Sequence, residues 1–94
     1  MPQYLFGYMW DECPEQLKKL ALSHTFSEKN PAAVLLFDYC YDFQSLEQSY
    51  KEQNPEVTKV EISTVKFLSD DIQKLIPPDV NLFANNMFTL VLAW

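Results

Sequence analysis

The chain predicts an α+β (α/β) fold, a two-layer sandwich in which a four-stranded sheet carries its helices on one face in a ferredoxin-like βαβ-(α)-βαβ arrangement. Three observations predict it. Three segments alternate at period two and a fourth is a short apolar run, which gives four strands. Stripes at helical spacing fall between them. The breaks carry proline, asparagine or aspartate, the residues that end regular structure. The helical connection in the middle lets strands 2 and 3 run parallel or antiparallel, so a small mixed sheet with helices on both faces is the alternative. With 94 residues, the chain has enough for one core, and a single domain is expected over 1–94.

The elements follow in order. Tyr4, Phe6, Tyr8 and Trp10 fall on every second residue with Leu5 and Met9 between them. Apolar residues at both parities predict a strand over Gln3–Trp10 covered on both faces. Asp11-Glu12-Cys13-Pro14-Glu15 is a helix start, because proline suits the first turn and carboxylates suit the positive end of the dipole. Leu17, Leu20, Ala21 and His24 then make one stripe. Asn30-Pro31 closes the connection, since the residue before proline avoids the helical region.

Ala33–Phe43 is the second strand. Phe37, Tyr39, Tyr41 and Phe43 are expected on one face, with Val34, Leu36, Asp38, Cys40 and Asp42 on the other. Ser45 and Gln48 have capping-box spacing for a short helix that ends before Asn54-Pro55. Val57–Leu68 alternates again, with Val60, Ile62 and Thr64 opposite Lys59, Glu61 and Ser63. Ser69-Asp70-Asp71 starts a helix carrying Ile72, Leu75 and Ile76, which Pro77-Pro78 stops. Asn85-Asn86 makes a turn, and Met87–Trp94 is the last strand.

Composition narrows the function. Hydrophobic residues at 48% and charged ones at 21% are ordinary for a globular protein, which argues against disorder. The single glycine, Gly7, leaves no glycine-rich phosphate loop, so nucleotide fingerprints are excluded. All seven basic residues are lysines, and the net charge is −6. Without arginine forks or a basic face, direct nucleic-acid binding is not expected. The longest uncharged stretch, Val80–Trp94, is too short and too polar for a membrane span. Met1-Pro2-Gln3-Tyr4 lacks the basic start of a secretory signal, and two cysteines are too few for a disulfide framework. A cytoplasmic location is therefore expected.

Each candidate for chemistry has a plainer structural reading. Cys13 stands at a helix start, where a dipole favours the thiolate, but Asp11, Glu12 and Glu15 oppose that effect. His24, the lone histidine, fits the negative end of a helix better than a triad. Cys13, His24 and Cys40 have no metal-ligand spacing, and neither a metal nor a cofactor is expected. Asp38 and Asp42 share a strand face as a carboxylate pair, with Tyr39 and Tyr41 on the opposite face. Some of the tyrosines should reach the surface, because a phenol seeks water or a partner.

The acids fall in three groups: Asp11, Glu12 and Glu15; Asp38 and Asp42; Asp70 and Asp71. In the ferredoxin-like arrangement strands 1 and 3 are expected to end at one edge. Asp11, Glu12, Asp70 and Asp71 would then converge into a focused negative potential. These groups, with Tyr39 and Tyr41, are the candidate partner-binding residues. The function expected is that of a small acidic inhibitor occupying the basic surface of a nucleic-acid-handling protein, as a nuclease immunity protein or a phage anti-defence protein of the anti-CRISPR type does. The alternatives are a subunit that assembles with itself, a homodimer for instance, and a small ligand-binding enzyme using Cys13, His24 or Asp38.

Overall fold

The computed structural model describes residues 4–24, 31–66, 70–75 and 87–94. Strand β1 (Tyr4–Met9) runs into a short 3₁₀ turn at Trp10–Glu12 and then helix α1 (Glu15–His24). Strand β2 (Ala33–Asp38), helix α2 (Phe43–Gln53) and strand β3 (Val60–Lys66) follow. A single helical turn, α3 (Asp70–Gln73), precedes strand β4 (Met87–Ala93). The expected breaks at Asn30, Ser69, Pro77-Pro78 and Asn85-Asn86, together with Leu68 and Ile76, lie outside the described residues. Among the described residues, no helix is long and apolar enough to cross a membrane.

The four strands form one antiparallel sheet in the order β1-β2-β4-β3, so the α+β class with a four-stranded sheet stands. The ferredoxin-like strand order does not. There each βαβ unit is split by a strand from the other half. Here β1 pairs directly with β2, and β3 directly with β4. The split unit is the middle one: β2 and β3 are both antiparallel to β4, hence parallel to each other, and β4 fills the gap that α2 bridges.

That central position explains why β4 carries no charge. Phe88, Leu90 and Leu92 point into one buried cluster, while Val91 and Ala93 point into a second on the reverse face. The first cluster joins Val34, Leu36 and Val65 to Leu17 and Ala21 of α1 and Ile72 of α3. The second joins Leu35, Phe37, Val60, Val91 and Ala93 to Leu46 of α2, with Tyr50 packed against it. Helices α1 and α3 thus cover one face and α2 the other, the helix placement of the alternative arrangement, on an antiparallel sheet.

Strand β1 is not covered on both faces as its sequence suggests. It lies at the sheet edge, and α2 crosses only β2, β4 and β3, leaving Met9 59% exposed. A bulge between Tyr4 and Phe6 accounts for Leu5, while Met9 is an apolar residue on the uncovered face. Leu5 and Phe6, adjacent in sequence, both pack against the α1-side cluster. Phe6 and Tyr8 then meet edge to face at 5.7 Å between ring centroids.

Candidate functional site

Strand β2 ends at Asp38, five residues short of the expected Phe43, and the chain turns through Tyr39–Asp42 into α2. Two local devices stop the strand. Asp42 is the N-cap of α2: its Oδ1 accepts from the Ser45 N–H at 3.1 Å and its Oδ2 from the Ser45 hydroxyl at 2.8 Å. The expected Ser45–Gln48 capping box is displaced by this earlier cap. The second device is Thr89 of β4, which is fully buried. Its Oγ1 accepts from the Cys40 N–H at 2.9 Å and donates to the Cys40 carbonyl at 3.4 Å, latching the turn to the sheet's central strand. Sequence gave no warning of Thr89, a single hydroxyl in an apolar strand.

Thr89→Val is expected to destabilise the protein by about 1–3 kcal/mol, because it strands the Cys40 N–H without a partner. Hydrogen exchange should quicken at Cys40 more than in β2. Unchanged exchange at Cys40 would remove the latch.

The turn and α2 enclose a cleft of about 530 Å³ lined by Asp38, Tyr39, Cys40, Tyr41, Leu46 and Tyr50 among others. The strand reading put Asp38 and Asp42 on one face and the two tyrosines on the other. Ending the strand at Asp38 brings Tyr39, Tyr41 and Asp42 to one cleft, which Asp38 borders from the end of β2, where it stands opposite Phe88 on the α1 face of the sheet. Tyr41 is 87% exposed and Tyr39 40%. Asp38 Oδ1 accepts from the Tyr39 N–H at 2.8 Å, which ties its carboxylate to the start of the turn.

The Ser45 hydroxyl and backbone N–H hold Asp42 below the ordinary carboxylate range. A carboxyl lowered on folding contributes stability above its unfolded value and loses it as pH falls through the folded one. Asparagine caps about as well but does not titrate. Asp42→Asn should therefore match the wild type in thermal unfolding at neutral pH and lose less stability on acidification. Parallel acid profiles would contradict the cap.

The nine candidate residues do not form one surface. Asp38, Tyr39, Tyr41 and Asp42 line the cleft. Strands β1 and β3 are antiparallel across the sheet, so they end at opposite edges and Asp11 and Glu12 do not converge with Asp70 and Asp71. Asp70 and Asp71 follow the edge where β2 also ends, but α3 packs in the α1 layer, on the far side of the sheet from α2.

The three acidic groups also differ in company. Near Asp11, Glu12 and Glu15, Lys18 stands 5.5 Å over the Trp10 ring. Lys66 and Lys74 bracket Asp70 and Asp71 in sequence. The ion pairs among the described residues, Lys51–Glu47 at 3.4 Å and Lys59–Glu61 at 3.1 Å, leave the cleft carboxylates untouched. No lysine or histidine is among the described residues lining the cleft.

The enzyme candidates are likewise separated. Burial pushes the Cys13 thiol up, Lys18 pulls it down and Glu15 adds to the rise, so the thiol is poorly suited to act as a thiolate. His24 Nδ1 lies 3.0 Å from the Leu20 carbonyl of its own helix and 2.9 Å from the Ser23 hydroxyl. Cys40 lines the α2-side cleft, across the sheet from Cys13, and Asp38 stands at the end of β2, past the edge opposite to the one Cys13 follows. Among the described residues, no group of three or more His, Cys, Asp and Glu side chains could hold a metal ion. No family model, curated protein or solved structure matches the chain.

Proposed function

We propose that the chain is a small acidic protein-binding inhibitor of the cytoplasm, which docks the Asp38–Asp42 turn on a basic, nucleic-acid-binding surface of another protein. The observation that carries this reading is Tyr41, 87% exposed on a turn latched from below and flanked by carboxylates without a cationic neighbour among the described residues. A tyrosine ring held in water gains by burial against a partner, and tyrosine is over-represented among residues that dominate binding energy. The net charge of −6 adds attraction on approach to a basic surface. Nuclease immunity proteins and phage anti-defence proteins act in this manner, by filling a groove that otherwise holds phosphates.

The test is capture by the immobilised chain, with Tyr41→Ala as the control surface, followed by salt titration and competition with nucleic acid. A partner that is lost with Tyr41→Ala, weakens as salt rises and is displaced by DNA or RNA supports the reading. A partner held equally by both chains, or indifferent to salt, contradicts it.

Self-assembly is the second reading, favoured by β1, an edge strand without a charged residue from Tyr4 to Met9. Sedimentation across a concentration series separates the two. A dimer that Met9→Lys dissolves supports pairing at this edge, and a monomer at every concentration excludes it.

A further inference from the structure

The two edges of the sheet differ. Strand β3 carries Glu61 and Lys66, with Lys59 paired to Glu61 at 3.1 Å, and charges of this kind keep an edge strand from pairing. Strand β1, at the other edge, has none from Tyr4 to Met9. Antiparallel pairs alternate between residues that exchange hydrogen bonds and residues that do not. The Trp10 N–H donates to the Ala32 carbonyl at 2.8 Å, and the register runs on unbroken from Met9↔Ala33 to Phe6↔Leu36. Trp10, Tyr8 and Phe6 therefore turn their backbone groups towards β2, and Gly7 and Met9 turn theirs outwards. The side chains follow the same alternation. Phe6, Tyr8 and Trp10 pack against the α1-side cluster and are each only partly buried, while Gly7 and Met9 stand on the reverse face.

We infer that β1 pairs antiparallel with β1 of a second copy about a two-fold axis at Tyr8, joining the two sheets into one. The inference rests on the self-assembly reading above and gives it a register. No residue of the Asp38–Asp42 turn takes part, so docking is tested separately. Centring the axis on Tyr8 sets Gly7 against the partner's Met9 and Met9 against the partner's Gly7, so the outward N–H and carbonyl groups of both residues find partners. An axis at Gly7 would set the bulged Leu5 against the partner's Met9, and an axis at Met9 would set Gly7 against the partner's Asp11 in the 3₁₀ turn. The Tyr8 axis also matches the side chains. Met9 meets a glycine that leaves it room, Phe6 meets the partner's Trp10, and the two Tyr8 rings meet on the α1 face. A foreign strand would have to match this row residue by residue, whereas a second copy does so by symmetry. Each copy carries −6, so the pair forms against a repulsion that salt screens.

The backbone supplies the decisive variant. Met9 has φ −65° and ψ 145°, a conformation open to proline, and its N–H faces away from β2. Met9→Pro should fold with an unfolding midpoint no lower than that of the dilute wild type. It should stay monomeric over the concentrations at which sedimentation finds the wild type paired. Concentrating the isotope-labelled wild type into the dimer should slow amide exchange at Gly7 and Met9 at least about fivefold, with less change at Phe6 and Tyr8, which β2 already bonds. Raising salt should tighten the dimer. On a Cys40→Ser background, Tyr8→Cys should form an intermolecular disulfide and Phe6→Cys should not, because the pair on the axis alone brings its own Cα atoms to about 4.5 Å.

The reading and the register fail separately. A monomer at every concentration sinks self-assembly and the register with it. A dimer that survives Met9→Pro, protects amides away from β1 or weakens as salt rises overturns pairing at this edge and leaves self-assembly standing. A dimer lost with Met9→Pro, in which Tyr8→Cys stays paired without cross-linking, overturns the register alone.

Discussion

Leu36→Ala is expected to lower the unfolding free energy by about 2–5 kcal/mol, a large share of the about 5–15 kcal/mol that holds a domain of this size together. Leu36 is fully buried on β2, with Phe6 of β1 opposite it on one side and Leu90 of β4 on the other. It belongs to the cluster in which α1 and α3 meet the sheet, so truncation opens a void shared by three layers of contacts that cannot all close at once. Urea unfolding should show a lower midpoint with an unchanged slope, since the surface exposed on unfolding is nearly the same. Met9→Ala is the control: exposed at the sheet edge, it should alter stability by less than about 0.5 kcal/mol. Equal effects from the two substitutions would mean that the core is not built around β2.

Tyr41→Ala should show the opposite pattern. Its ring lies almost wholly in solvent, so its removal should leave the unfolding midpoint within about 0.5 kcal/mol of the wild type. Affinity for the basic partner should fall about 30-fold or more, the equivalent of at least about 2 kcal/mol for a dominant interface residue. Tyr41→Phe separates ring burial from the hydroxyl and should recover most of the loss if the ring is the anchor. A loss of both stability and binding would instead make Tyr41 part of the fold, against its exposure.

The sequence disclosed local structure well and long-range pairing poorly. Met87–Trp94 reads as a strand from its apolar run, and the structure supplies the reason: β4 lies between β2 and β3 with helices beyond both faces. Leu17 and Ala21 read as a core stripe and are buried as one. Strand order was not legible, because periodicity reports which way a side chain points and says nothing of which strand lies beside it. The expected convergence of Asp11 and Glu12 with Asp70 and Asp71 depended on that order and was lost with it.

Two other departures have local causes. The bulge beside Leu5 places neighbouring residues on the same side, and the extra residue resembles a strand buried twice. At the cleft, alternation of aromatic residues continues through Tyr39, Tyr41 and Phe43 after the strand itself has ended. The readable signal was Asp42 with Ser45 three residues on, since aspartate at an N-cap is as strong a helix start as serine. Asp38, Tyr39, Tyr41 and Asp42 were legible as candidates by type, while their gathering around one cleft was visible only in three dimensions. Thr89 was invisible because its partner, Cys40, stands 49 residues away.

The most direct test of the docking surface is amide exchange mapped on the captured complex against the free chain. Slowed exchange confined to Asp38–Asp42 and the first turn of α2 is the predicted result. Protection centred instead on Asp11–Glu15, on Asp70 and Asp71, or along β1 would contradict it, and would mean that the partner meets this protein on another side.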